Sequence, residues 1–225
     1  MKKPRLILLG ITAIAIAATA IIFKQSVIRT IPLFVSLFIV LLQTKANRFA
    51  YLLGGGNSIL YAIAYFTMHL YSSALYAFCV SFPLQIITFI CWSKRAYGNS
   101  TILRRLSNKQ RIGWLSGGIT VWVVLYLILS AFGSQYLILD NTVTVIGITS
   151  TVFGMLALIE FPFLQLASGL VSCVLYITML RDDPAQITYL IYTVYSLICF
   201  TLSLRYMYKL YQKQQEESEY ETGMG

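Results

Sequence analysis

Apolar residues fill most of the chain in long runs, which short polar segments interrupt. An α-helix needs about 20 mainly apolar residues to cross a hydrocarbon core about 30 Å thick. The runs predict an all-α polytopic membrane protein with eight membrane-spanning helices: Leu6–Phe23, Thr30–Leu42, Ala50–His69, Ser72–Trp92, Arg111–Phe132, Asn141–Leu158, Phe161–Leu180 and Thr188–Leu210. Only two long polar segments remain, a basic linker (Ser93–Gln110) and an acidic tail (Gln212–Gly225). The tail has no apolar face, so we predict that it is disordered.

Composition and charge agree with this interpretation. The 225 residues are 58% hydrophobic and 11% charged, whereas soluble domains carry about 25% charged residues. The net charge of +9 would suit a nucleic-acid-binding protein. However, with a cytoplasmic N-terminus, all but three of the 17 lysines and arginines fall on the cytoplasmic side, the exceptions being Lys24, Arg29 and Arg181. This is the positive-inside pattern, so we expect cytoplasmic termini and no nucleic-acid partner.

The first apolar run also resembles a signal peptide, including the small residues Ala18, Thr19 and Ala20. Its apolar core is longer than a usual signal-peptide core, and further spans follow it. We therefore interpret it as an uncleaved first span.

Spans two to four and six to eight resemble two copies of one three-helix unit. Placing Arg48 over Glu160 aligns Phe49 with Phe161 and Leu52 with Leu164. Parallel repeats of this kind hold the substrate between their halves in some transporters. The predicted organisation is an extra N-terminal helix, a first repeat, a basic linker with a linking helix, a second repeat and a cytoplasmic tail, over residues 1–29, 30–92, 93–132, 133–211 and 212–225.

Several predicted helices carry their polar residues on one face. In span seven, Gln165, Gly169, Ser172 and Tyr176 share a face at helical spacing. Small polar stripes of this kind also pack membrane helices together, but an amide has more donors and acceptors than an ordinary helix contact satisfies. We therefore predict a wet cavity that binds a planar polar molecule. The predicted substrate-binding residues are Asn57, Tyr61, Gln85, Gln165, Gly169, Tyr176 and Tyr192, with Glu160, Asp140 and Tyr65 as possible gate or accessory residues.

The sequence carries no recognisable catalytic constellation. It has one histidine, His69, and the Gly54-Gly55-Gly56 run lies inside a span rather than in a phosphate-binding loop. The four cysteines lie within spans and form no Cys-x-x-Cys pair. We expect neither an enzyme nor a metal or other cofactor.

The eight-span layout and several local segments resemble the PnuC vitamin transporters. The matching segments are NRFAYLLGGGNSILYA (47–62), LYSSALYAF (70–78), YLILDNTVTV (136–145) and IEFPFLQLASGLVSCVLY (159–176). The resemblance implies a bacterial inner-membrane protein, often a homotrimer, with an extra first helix before a three-one-three core related to the SWEET sugar transporters. It also implies facilitated diffusion by alternating access, with a cytoplasmic kinase that traps the vitamin.

One motif departs from the family pattern. Members that carry nicotinamide riboside have Trp-x-x-Trp-x-x-x-Asn after the glutamate matched by Glu160, whereas this chain has Pro162, Gln165 and Gly169 at those positions. The first-repeat Asn57 is retained. The resemblance therefore leaves the cargo open among nicotinamide riboside, thiamine, riboflavin and nucleoside-like molecules. A SWEET-like sugar uniporter and a non-transporting membrane scaffold are the alternatives.

Overall fold

The computed structural model describes residues 3–131 and 136–223, which form eight long helices. They are α1 (Lys3–Ile22), α2 (Val27–Gln43), α3 (Phe49–Phe66), α4 (Tyr71–Lys94), α5 (Asn108–Ser130), α6 (Leu137–Met155), α7 (Phe161–Met179) and α8 (Ile187–Gly223). Seven of these are long and apolar enough to cross a membrane, and α2 is a shorter apolar helix. The predicted all-α polytopic fold is confirmed. The predicted end of span five, Phe132, and the predicted start of the second repeat at residue 133 lie outside the described residues.

Six helices form a closed ring. Going round the ring, α2 contacts α3, then follow α4, α6, α7 and α8, and α8 returns to α2. Tyr195 closes the α8–α2 seam by donating its hydroxyl to the Leu37 carbonyl at 3.1 Å. The Trp92 indole closes the α4–α6 seam by donating to the Gly154 carbonyl at 2.8 Å. The other two helices lie outside the ring, α1 against α8 and α2, and α5 against α6 and α4.

Helix α4 contains a π-helical stretch, Tyr76–Ser81. In a regular α-helix each residue turns by about 100°, so residues nine apart lie on opposite sides. The wider π turns add one residue and reduce this rotation. Tyr76 and Gln85 consequently face the same side of α4, toward the interior of the ring.

The basic linker folds onto one end of the ring, which we call the linker end. Its two short strands, β1 (Ala96–Tyr97) and β2 (Ser100–Thr101), form an antiparallel pair. The Arg104 backbone then bonds to the α6–α7 connection, donating to the Ala157 carbonyl and accepting from the Ile159 amide, each at 2.9 Å. The linker is therefore an ordered part of the fold.

The predicted disorder of the tail is wrong for residues 212–223, because α8 continues to Gly223. The Gln214 side chain accepts a hydrogen bond from the Leu103 amide at 2.9 Å and donates to the Thr101 carbonyl at 3.1 Å. Tyr97 donates its hydroxyl to Glu217 at 2.7 Å, and this bond raises the pKa of Tyr97. The tail is helical because a membrane helix already nucleates it and the linker binds one of its faces. Residues 224 and 225 lie outside the described residues.

Replacing Gln214 by alanine is expected to free the linker. The change leaves two backbone groups without their partner, and each buried unpaired group costs about 1–3 kcal/mol. We expect tryptic cleavage at Arg104 and Arg105 in detergent-solubilised protein to become at least about tenfold faster, because about 1.4 kcal/mol changes an opening equilibrium tenfold. The matched control is Gln215→Ala, since Gln215 is exposed. Equal cleavage of the two variants would contradict the prediction.

Candidate functional site

A cavity of about 240 Å³ lies inside the ring, and all six ring helices line it. Its wall combines amides, hydroxyls and aromatic rings, and none of the described lining residues is charged. The lining residues are Gln43, Tyr51, Tyr65, Tyr76, Gln85, Val143, Gly147, Ser150, Thr151, Phe161, Gln165, Ser168, Gly169, Ser172, Tyr176, Tyr192, Thr193, Ser196 and Phe200. A concave, mainly apolar site with a few convergent polar groups is the usual form of a small-molecule site.

The amide of Gln165 is only partly satisfied by the protein. Its nitrogen donates to the side-chain oxygen of Gln43 at 3.2 Å. Its own oxygen, Oε1, is buried and has no hydrogen-bond partner within residues 3–131 and 136–223. Gln165 therefore carries a buried acceptor that the described protein leaves unpaired.

The amide of Gln85 is held by neighbouring hydroxyls. Its nitrogen donates to Ser58 at 3.0 Å and to Ser81 at 2.7 Å. Gly54 provides the room for this arrangement, because a Cβ at Gly54 would lie 1.8 Å from the Gln85 side-chain oxygen. Gln85 is thus fixed in the wall by α3 and by its own helix.

Tyrosines form the part of the cavity farthest from the linker end. Tyr65, Tyr176 and Tyr192 line it, and Tyr61 stacks behind Tyr65 with the ring centroids 5.2 Å apart. The hydroxyl of Tyr61 accepts a hydrogen bond from Ser36 at 2.9 Å. Rings of this kind present flat apolar faces with polar edges, which suits stacking against a planar ligand.

The structure brings six of the predicted residues together in the cavity wall, and they come from four of the helices. They are Tyr65, Gln85, Gln165, Gly169, Tyr176 and Tyr192. At Gly169 a Cβ would lie 2.7 Å from Leu197 Cδ2, so this glycine also sets the close packing of α7 on α8. Whether these residues bind substrate stays a prediction.

Asn57 and Tyr61 lie behind the wall instead. Asn57 is 3% exposed, and its amide nitrogen donates to the Pro32 carbonyl at 3.0 Å and to Ser36 at 2.8 Å. Because Ser36 in turn donates to Tyr61, these side chains join α3 to α2 and support the tyrosine stack from behind.

Glu160 and Asp140 also lie outside the cavity lining. Glu160 forms an ion pair with Arg111 at 2.8 Å and accepts from the Leu106 amide at 3.3 Å, so it attaches the linker to α7. Asp140 is fully buried, and its carboxylate accepts hydrogen bonds from the backbone amides of Ser72 and Ser73 and from the Ser73 hydroxyl. It satisfies the first turn of α4 as an N-cap residue would.

Sequence reasoning did not single out several lining residues. The polar ones are Gln43, Tyr76, Ser150, Thr151 and Thr193, and the aromatic ones include Tyr51 and Phe161. Gln43 is the last residue of α2, where an amide looks like part of a polar helix end. The π turns of α4 rotate Tyr76 into the cavity lining, where a regular helical pattern would not place it.

Comparisons with known proteins agree with this architecture. The family model for the nicotinamide mononucleotide transporter matches residues 26–206. A solved structure described as the crystal structure of the vitamin B3 transporter PnuC has the same fold, with a TM-score of 0.81, 18% sequence identity, and coverage of 95% of this chain and 94% of that chain. No curated protein gives a significant match. The predicted PnuC-type family is therefore confirmed, and the chain belongs to the nicotinamide mononucleotide transporter family.

Proposed function

We propose that this chain is a passive carrier that imports a water-soluble vitamin or nucleoside-like molecule across the bacterial inner membrane. The observation that carries the proposal is the uncharged cavity, where amides, hydroxyls and tyrosines from both halves of the ring converge. The family model and the shared fold with a vitamin B3 transporter support a vitamin of the nicotinamide riboside, thiamine or riboflavin type.

The wall chemistry favours a cargo without phosphate. Proteins bind phosphate with arginine, lysine or helix N-termini. The described lining residues include neither arginine nor lysine, and where the α7 N-terminus reaches the wall, the amides of Phe161 and Phe163 already donate to backbone carbonyls. Tyrosine faces and neutral amides instead bind a planar ring with moderate strength. Moderate affinity also suits a passive carrier, because a tightly bound cargo is released slowly.

Transport would proceed by alternating access, with α2–α4 rocking against α6–α8 around the cavity. The seams α8–α2 and α4–α6 are where the two halves meet, so their contacts are the ones that change as either end opens. A cytoplasmic kinase would trap the imported molecule, and the carrier would assemble as a homotrimer with both termini in the cytoplasm.

Uptake into proteoliposomes tests the proposal. We expect saturable uptake of at least one compound among nicotinamide riboside, thiamine, riboflavin and a nucleoside panel, without an imposed ion gradient. Uptake of glucose or sucrose alone would replace the vitamin carrier with a sugar uniporter. No saturable flux of any compound would favour a scaffold and overturn the proposal.

The Gln165→Ala variant is expected to lower the uptake rate at limiting substrate about tenfold. A substrate hydrogen bond to this amide is worth about 1.5 kcal/mol, and 1.4 kcal/mol corresponds to a factor of ten. Initial uptake rates measured at equal amounts of reconstituted protein check this. The exposed Gln215→Ala variant is the control for the same change of residue type, and equal rates for the two variants would remove Gln165 from the site.

A further inference from the structure

Gln43 and Gln165 form an amide pair that joins the two halves of the ring across the cavity wall. Gln43 ends α2, in the first half, and Gln165 lies in the second turn of α7, in the second half. The Gln165 nitrogen donates to the Gln43 oxygen at 3.2 Å. Both side chains line the cavity.

The pair leaves the Gln165 oxygen and the Gln43 nitrogen without a partner among the described residues. An amide has an oxygen acceptor and two N–H donors. The Gln165 oxygen is buried without a partner among the described residues. The Gln43 nitrogen likewise makes no hydrogen bond within that part of the chain. After their mutual bond, the Gln165 oxygen can still accept a hydrogen bond, and both N–H groups of Gln43 and one of Gln165 can still donate.

We propose that the Gln43–Gln165 pair recognises a planar substrate by an edge that carries an N–H donor beside a hydrogen-bond acceptor. A carboxamide, a cyclic imide and an aminopyrimidine all present such an edge. The ligand N–H donates to the Gln165 oxygen, and the ligand acceptor receives a hydrogen bond from the Gln43 nitrogen. This inference rests on the proposed function and specifies the substrate class at that site.

The burial of the Gln165 oxygen gives the recognition its selectivity. A site built to pair a polar group discriminates against an analogue that lacks this group, because its own buried atom is then left unpaired. Tyr192 and Tyr176 line the same cavity farther from the linker end, and aromatic faces stack on a planar ring better than on a puckered sugar.

The position of the pair also couples recognition to both halves of the ring. A ligand bonded to both glutamines touches α2 and α7 at once, so it interacts with the first and the second half together. Gln43 is then a substrate-binding residue in its own right, in addition to being the partner of Gln165.

Binding of matched ligand pairs to the detergent-solubilised protein tests the inference. The probes are uridine with 3-methyluridine, riboflavin with 3-methylriboflavin, and nicotinamide riboside with its N,N-dimethylcarboxamide analogue, measured by isothermal titration calorimetry. In each pair the second compound lacks the N–H donor. We expect the wild type to bind the parent of its preferred pair at least about tenfold more tightly. A wild-type ratio near one overturns the inference without any variant.

Two variants separate the roles of the two glutamines. Gln165→Met should bring the ratio of the two affinities close to one. Gln43→Glu keeps an oxygen acceptor for Gln165 but removes the donor, so it should weaken both ligands about tenfold and leave their ratio unchanged. An unchanged ratio in Gln165→Met, or unchanged affinities in Gln43→Glu, would contradict the assignment, and Gln215→Glu is the control for the added charge. If the wild type binds none of these probes and takes up no compound of the proteoliposome panel, the proposed function fails and the inference with it.

Discussion

Replacing Asp140 by alanine is expected to destabilise the protein by about 3 kcal/mol. The carboxylate is fully buried and accepts from two backbone amides and one hydroxyl at the start of α4. Hydrogen bonds to a charged group contribute about 1.5–3 kcal/mol, and donors left unpaired in an apolar environment cost more. Thermal unfolding in detergent, followed by tryptophan fluorescence, measures the loss.

Two further variants test the cause of this loss. Asp140→Asn keeps one acceptor oxygen and should unfold at a temperature between those of the wild type and Asp140→Ala. Asp182→Ala removes an exposed carboxylate that accepts from Tyr136 at 2.6 Å, so it should cost less than about 1 kcal/mol. If Asp140→Ala and Asp182→Ala unfold at the same temperature, Asp140 does not hold the start of α4.

Replacing Gly54 by alanine is expected to reduce uptake at least about tenfold while the protein stays folded. The added Cβ would lie 1.8 Å from the Gln85 oxygen and 2.8 Å from its Cδ. The flexible Gln85 side chain must therefore leave Ser58 and Ser81, and its displacement into the cavity would fill space where we propose that the substrate binds. Initial uptake rates in proteoliposomes, normalised to protein that elutes as a single peak, measure the effect.

The same helix provides a matched control two residues away. A Cβ at Gly56 would meet no atom within 4 Å, so Gly56→Ala makes the same chemical change without displacing a cavity side chain. It should transport like the wild type, since alanine is also a better helix former than glycine. Equal loss of uptake in both variants would show that the glycine run matters for the helix and not for Gln85.

Local sequence patterns predict the helices because a membrane-spanning helix forms its backbone hydrogen bonds within itself. It then needs only apolar side chains on the surface that faces lipid. They could not predict the helical tail. Its order depends on Gln214 meeting Thr101 and Leu103, more than a hundred residues earlier in the chain. A polar segment without an apolar face gives no sign of such a contact.

Helical periodicity likewise finds part of the site. It places Gln165 and Tyr176 on one face of α7, and both line the cavity. It fails at Tyr76, because a regular helix would turn that residue away from Gln85. Periodicity also cannot distinguish a residue that lines the cavity from a residue that packs behind the lining. Asn57 lies on a polar face of α3, yet its donors are taken by α2.

Because all six helices of the closed ring belong to one chain, each copy of the chain forms the cavity from its own residues. All the helices that line the cavity belong to one polypeptide, and both seams between its halves are bonded within that polypeptide. On the proposed function, each copy would therefore carry its own path for cargo, however many copies associate in a membrane. Association could then tune the stability or the orientation of the copies, while the number of paths would simply equal the number of chains.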